Sequence, residues 1–194
     1  ANRIALSVDD IADLKVGLGM VSKITSTASK WEVGVTVAGA LLDADDTVLA
    51  ARHDYHQTPL TATLRADTTD KFDVAVIGTA KQVSGDYILS KHDLGPAYAM
   101  YYKVVDTTTA DQPTFYFNGK IYEVAVPTRA GEWHEQANDL ADYLVGKTVA
   151  SVIAGVNTST NKFNDGVLAS VTVTVDEYLA AYAEATAVAN DPAR

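Results

Sequence analysis

Val33, Val35 and Val37 alternate with Glu32, Gly34 and Thr36, a period of two that an extended strand presents and a helix does not. The Val-rich run over 32–42 ends at Asp43-Ala44-Asp45-Asp46, a composition suited to a turn. Residues 47–55 then return, so 32–55 reads as a β-hairpin. A sheet with an apolar side has to be covered, and the helical patterns of this chain come late.

Upstream of the hairpin, 9–15 reads as a short helical turn and 16–26 as a strand. There Val16, Leu18 and Met20 alternate with Gly17 and Gly19, glycines that mark a bulge or a close backbone approach. Pro59 and the polar stretch 65–71 interrupt the pattern. Two further strands are expected at 72–77 and 82–89. Ser90 begins a capped turn that ends at Gly95-Pro96. Asn118-Gly119, between aromatic and β-branched residues, predicts a second hairpin over 114–126.

Residues 132–145 form the clearest helix, with Trp133, Ala137, Leu140 and Leu144 on one stripe and Gly146 after it. Thr148 caps a short helix through Ile153, closed by Gly155, and a polar loop follows over 157–166. Residues 170–175 alternate as a strand. Asp176 caps a last helix over 177–189, in which Tyr178 and Tyr182 stand one turn apart. The fold class is α+β: an antiparallel sheet with hairpins, and two to three C-terminal helices packed on one side, in a single domain over 1–194.

Composition removes several kinds of chemistry. The chain has 194 residues, 47% of them hydrophobic, enough for a full core without cross-links. It has no cysteine, which excludes disulfides, thiolate catalysis and Cys-bound metals. The first residue is alanine, as left by Met removal or by leader cleavage, and no cysteine is present to carry a lipid anchor. A net charge of −10 with no Lys/Arg cluster argues against nucleic acid as a partner. No apolar run reaches the roughly 18–20 residues of a membrane span, so membrane insertion is not expected.

The order Val16-Gly17-Leu18-Gly19-Met20-Val21, the hairpin around 43–46 and Ser90-Lys91-His92-Asp93-Leu94-Gly95 resembles clostridial surface proteins of the FMN-binding-domain type. The resemblance continues through Tyr98-Ala99-Met100, Glu132-Trp133-His134-Glu135-Gln136-Ala137 and 143–148, and ends at 169–175. It implies Thr172 as the residue esterified to the FMN phosphate, with Gly17 and Gly19 lining the site. Two departures run against that. Ala169-Ser170-Val171-Thr172 lacks the acidic residue and the glycine of the flavinylation motif, and 101–127 holds an added hairpin.

The remaining constellations read as structural. His53 and His56, three apart on a strand, point to opposite faces and do not converge on a metal. Glu132-Trp133-His134-Glu135 lacks the spacing of a zinc protease helix, and no GxSxG elbow frames a serine. Asp43, Asp45 and Asp46 suit a solvated turn better than a calcium loop, which needs a Gly and a closing Glu. Gly17-Leu18-Gly19 lies in a strand, so no phosphate loop is expected. Asn157-Thr158-Ser159 matches a glycosylation sequon, a short pattern that recurs by chance.

Of 16 aromatic rings 10 are tyrosines, and Tyr101, Tyr102, Phe115, Tyr116, Phe117 and Tyr122 gather in the added hairpin. Exposed Tyr and Phe are favoured at interfaces. These observations lead to an expected non-enzymatic structural subunit of an ordered assembly, on an extracellular surface or in a virion. It would have no cofactor and no metal, and its partners would be copies of itself or other subunits. The alternative is a secreted FMN-binding electron-transfer protein.

Overall fold

The Val-rich hairpin is the centre of a four-stranded antiparallel sheet ordered β1-β2-β3-β4, comprising β1 (Lys15–Thr27), β2 (Lys30–Leu42), β3 (Val48–Leu64) and β4 (Phe72–Val76). This computed structural model describes residues 11, 13–27, 30–64, 72–76, 83–84, 87–105, 107, 114–117, 119–125, 131–164, 167–191 and 193. Of the turn expected over 9–15, Ile11 is helical, Lys15 already belongs to β1, and most of the rest lies outside the described residues.

The β1–β2 register runs without a break from Lys15↔Leu42 to Thr27↔Lys30, and β2–β3 shifts once, between Leu41 and Leu42. The Asp43 carboxylate accepts the N–H groups of Asp45 at 2.9 Å and Thr47 at 2.8 Å, so it closes the turn. Asp46, at φ 63°, pairs with Lys15 of β1. The acidic cluster is spent on the turn itself.

β3 is longer than expected. The ladder to β2 continues past Pro59↔Glu32 to Thr61↔Lys30, and the β3–β4 ladder reaches only to Leu60. Pro59 thus stands one residue outside the second ladder, where a strand tolerates a missing N–H.

After β4 come two-residue strands β5 (Val83–Ser84) and β6 (Tyr87–Ile88), a small hairpin in place of the single strand expected over 82–89. Helix α1 (Lys91–Leu94) has a full capping box: Asp93 N–H donates to Ser90 Oγ at 3.0 Å and Ser90 N–H to Asp93 Oδ2 at 3.3 Å. A 3₁₀ turn, Gly95–Tyr98, follows.

The aromatic segment holds a three-stranded sheet ordered β7-β9-β8, from β7 (Tyr102–Val105), β8 (Thr114–Phe117) and β9 (Lys120–Val124). The expected hairpin is β8–β9, with a two-residue loop from Phe117 to Lys120 and Gly119 at φ 71°, a conformation glycine adopts without a Cβ clash.

The later helices are α2 (Trp133–Leu144), α3 (Val149–Ile153) and α4 (Asp176–Ala189). α4 lies across β1 and β2, and α2 across β3, on the same side of the sheet. Trp133, Leu140 and Leu144 are each at most 1% exposed, and Ala137 4%, so the predicted stripe is the buried stripe. Gly146, at φ 80°, ends α2, and its N–H donates to Val48 O at 2.8 Å.

Two expectations about the C-terminal part are corrected. Residues 170–175 form no strand: the N–H groups of Thr172 and Val173 go to the Gln136 side chain and that of Val175 to Asn161 O, so no neighbouring strand is engaged. Asp176 is the first residue of α4 rather than its cap, and its carboxylate accepts from Asn161 Nδ2 at 3.1 Å. Within the polar loop, β10 (Val156–Asn157) and β11 (Lys162–Phe163) pair as a minimal hairpin. The class is α+β, as the patterning indicates.

Candidate functional site

The positions proposed for a flavin are occupied by the protein. Gly17 and Gly19 are buried on the side of β1 that faces α4. A Cβ at Gly17 would collide with the carbonyl of Ala185, and one at Gly19 with the carbonyl of Ala181. The close backbone approach that these glycines signal is the approach of α4. Thr172 is engaged elsewhere. Gln136, buried in α2, accepts the Thr172 N–H at 2.8 Å, the Val173 N–H at 3.2 Å and the Thr172 hydroxyl at 3.3 Å on one carboxamide oxygen. Its amide nitrogen donates to Gly131 O at 2.7 Å. These residues do not fit a flavin phosphate, since helix backbone covers the glycines and a side chain holds the hydroxyl.

The aromatic segment divides. Tyr116 in β8 is 77% exposed, and Val104 in β7, on the other face of this sheet, 52%. Tyr122 is only 5% exposed and faces inward, which removes it from any outer surface. Phe117 is half-buried near Gly95. Tyr101 is half-buried, and its N–H, with that of Met100, donates to the carboxylate of fully buried Glu132. Tyr102 and Phe115 take their places in β7 and β8, and their side chains lie outside the described residues.

The densest polar cluster lies between β3, α1, α2 and α4. His53 is 2% exposed, and its Nδ1 lies 2.9 Å from the Tyr182 hydroxyl. Its ring stacks at a tilt on Tyr178 at 4.8 Å and meets Trp133 edge-on at 5.8 Å. Trp133 Nε1–H donates to Tyr178 Oη at 2.9 Å. Burial, with the positive charges of His92 and Arg52 adding to it, pushes the His53 pKa down to about 3. Burial likewise raises the phenols of Tyr178 and Tyr182.

Lys91 places its ammonium 4.4 Å from the Tyr55 ring centroid, 4.7 Å from Tyr98 and 5.5 Å from Trp133. Burial lowers its pKa to about 8 against the opposing pull of Glu32, Glu177 and Asp54. The ring faces act with the carboxylates, since their quadrupole favours the ammonium. Lys91 thereby fastens α1 to the core.

A cleft of about 320 Å³ opens beside this cluster, lined by Arg52, His53, His92, Asn138 and Asp142 over small alanines. His53 Nε2 is buried with no partner among the described residues. His56 lies on the opposite face of β3 from His53, as period two requires. Among the described residues, no three His, Asp or Glu side chains are placed to hold a metal ion.

The outward side of the long hairpin differs from all of these. On β1, Val16 is 74% exposed, Leu18 63%, Met20 65% and Ile24 71%. They alternate with the glycine side that meets α4, so they point away from it. On β2, paired to them, Val33, Val35, Val37 and Leu41 are half-buried on the same side, and Trp31 is 36% exposed. The result is a continuous apolar face with Ser22 its only polar side chain between Val16 and Ile24. Contiguous exposed apolar area of this kind marks an interaction surface. The sequence carried a signal for it: with glycines on one side of β1, the closely packed side is the glycine side and the large side chains face out.

No family model, curated protein or solved structure matches this chain. Among the described residues no helix is long and apolar enough to cross a membrane.

Proposed function

We propose that this protein is a non-catalytic structural subunit of an ordered assembly, joined through the outward apolar face of β1 and β2. The observation that carries this reading is the exposure of Val16, Leu18, Met20 and Ile24 in one row on one strand. Leaving four large aliphatic side chains in water forfeits about 1.5–3 kcal/mol each relative to burial, a cost that a partner surface removes. Three hydroxyls that could do chemistry are held in structural bonds: the Thr172 hydroxyl on Gln136, the Tyr182 phenol on His53, and the Tyr178 phenol on Trp133.

Light scattering and electron microscopy of the purified full chain test the reading. Discrete oligomers or ordered arrays that grow with concentration are expected. A chain that stays strictly monomeric at high concentration overturns it.

A further inference from the structure

We propose that the occupant of this apolar face is a second copy of the chain, stacked sheet on sheet about a two-fold axis that runs along the strands between β1 and β2, with Leu18 of each copy seated over Gly39 of the other. The inference rests on the assembly reading above and adds the partner and its geometry.

Size comes first. Thirteen residues of β1, at about 3.4 Å each, extend about 44 Å, and the two strands that the axis exchanges, spaced about 4.8 Å apart, are about 10 Å wide. Each copy then covers about 440 Å², and the pair about 880 Å², the size of a weak, reversible contact.

Charge comes second. The chain carries −10 overall, yet the outward rows of β1 and β2 from Val16 to Ile24 and from Val33 to Leu41 hold no charged residue. Arg52 and Asp54 stand on the outward side of β3, outside the two strands that the axis exchanges, so the contact itself is neutral and an identical neutral face fits it. Two such sheets pack about 10 Å apart with strands nearly aligned.

Shape decides the axis. Gly39 lies on the outward side of β2, and a Cβ built there meets nothing within 4 Å. Its partner across the ladder is Leu18, 63% exposed. A projection and a gap therefore sit side by side at one height along the strands. A two-fold axis along the strands exchanges the two columns, so each Leu18 lands over the other copy's Gly39. The same operation sets Met20 over Val37 and Ile24 over Val33, because these are also ladder pairs. An isologous contact needs such self-complementarity.

The test uses the full chain. Sedimentation equilibrium on the native protein gives a dimer. Leu18→Glu weakens dimerisation about a hundredfold by removing an apolar anchor and placing a charge in its seat. Gly39→Val fills the gap and weakens dimerisation about tenfold, while its thermal melt under monomeric conditions stays native. If Leu18→Glu fails to fold by circular dichroism, Met20→Lys takes its place.

The native chain has no cysteine, so single introduced cysteines report the geometry. Ile24→Cys joined by a short bis-maleimide links to itself across the axis, as does Val16→Cys. The mixture of the two forms no mixed product, since those positions lie about 27 Å apart along the strand. Mixed products alone mean strands stacked in the opposite sense or β1 edges paired, and overturn the proposal. Oligomers weakened by Leu18→Glu but unaffected by Gly39→Val overturn the two-fold geometry and leave the assembly reading standing, whereas oligomers unaffected by both overturn both. A native chain that never associates overturns both.

Discussion

Gly17 and Gly19 show how much can rest on the absence of a side chain. An amphipathic strand ordinarily turns its large apolar residues inward, and β1 does the reverse because the α4 backbone takes the space that Cβ atoms would fill. Gly17→Val is therefore expected to destabilise the chain by about 2–3 kcal/mol in urea unfolding, the cost of overpacking a closed contact. Gly39→Ala, with open space at its Cβ, changes it by less than about 0.5 kcal/mol. Equal effects at the two positions contradict the assignment of faces.

His53 supplies a second prediction at this scale. Burial holds its folded-state pKa at about 3, against 6.5 for an unperturbed histidine. Between those values the unfolded chain binds a proton that the folded chain does not. Stability therefore falls as pH drops below 6.5, by about 1.4 kcal/mol per pH unit, until the folded histidine also titrates. His92 and His134, both lowered by burial, act in the same direction. Urea titrations from pH 7 to about 4.5 should show a shallower slope for His53→Gln than for the native chain; parallel slopes sink the prediction.

Among the elements, α2 is the organiser. Its stripe of Trp133, Ala137, Leu140 and Leu144 was legible because helical spacing and burial agree at all four positions. The β8–β9 hairpin was legible because Asn118-Gly119 admits few other turns. Residues 170–175 misled because alternation records the residue types and not their partners, and here the Gln136 side chain takes the N–H groups that a strand would have taken. The apolar face was only half legible: the glycines of β1 mark its closely packed side, but that a helix fills that side depends on α4, far away in sequence.

Glu132 ties α2 to the three-stranded sheet. Its carboxylate accepts the N–H groups of Met100 and Tyr101 at the positive end of the helix, while its own N–H donates to Glu135 at 2.7 Å. Glu132→Ala leaves those donors unpaired in a buried place, and a loss of about 2–4 kcal/mol follows. Hydrogen exchange should accelerate first at Met100 and Tyr101; unchanged protection there contradicts the role.

For the molecule as a whole, net charge and apolar face oppose one another. Copies carrying −10 repel at a distance, and the contact surface itself is neutral. Association through this face should therefore strengthen as ionic strength rises from about 20 mM to about 500 mM, because salt screens the repulsion and leaves apolar burial intact. Sedimentation across that range measures it. Weakening with salt would point instead to ion pairs as the link.

Lys15 opens β1, and its ammonium meets Asn190, 175 residues further on, at 2.9 Å. β1 is thus made well before the helix that closes over its glycines. Until that helix is made both sides of this strand stand open, one lined by backbone and one by aliphatic side chains. Sheet completion is a late event, set by the arrival of α4. A nascent chain halted before α4 is a client for chaperones, and release of that helix is the step that turns a two-sided adhesive strand into a one-sided one.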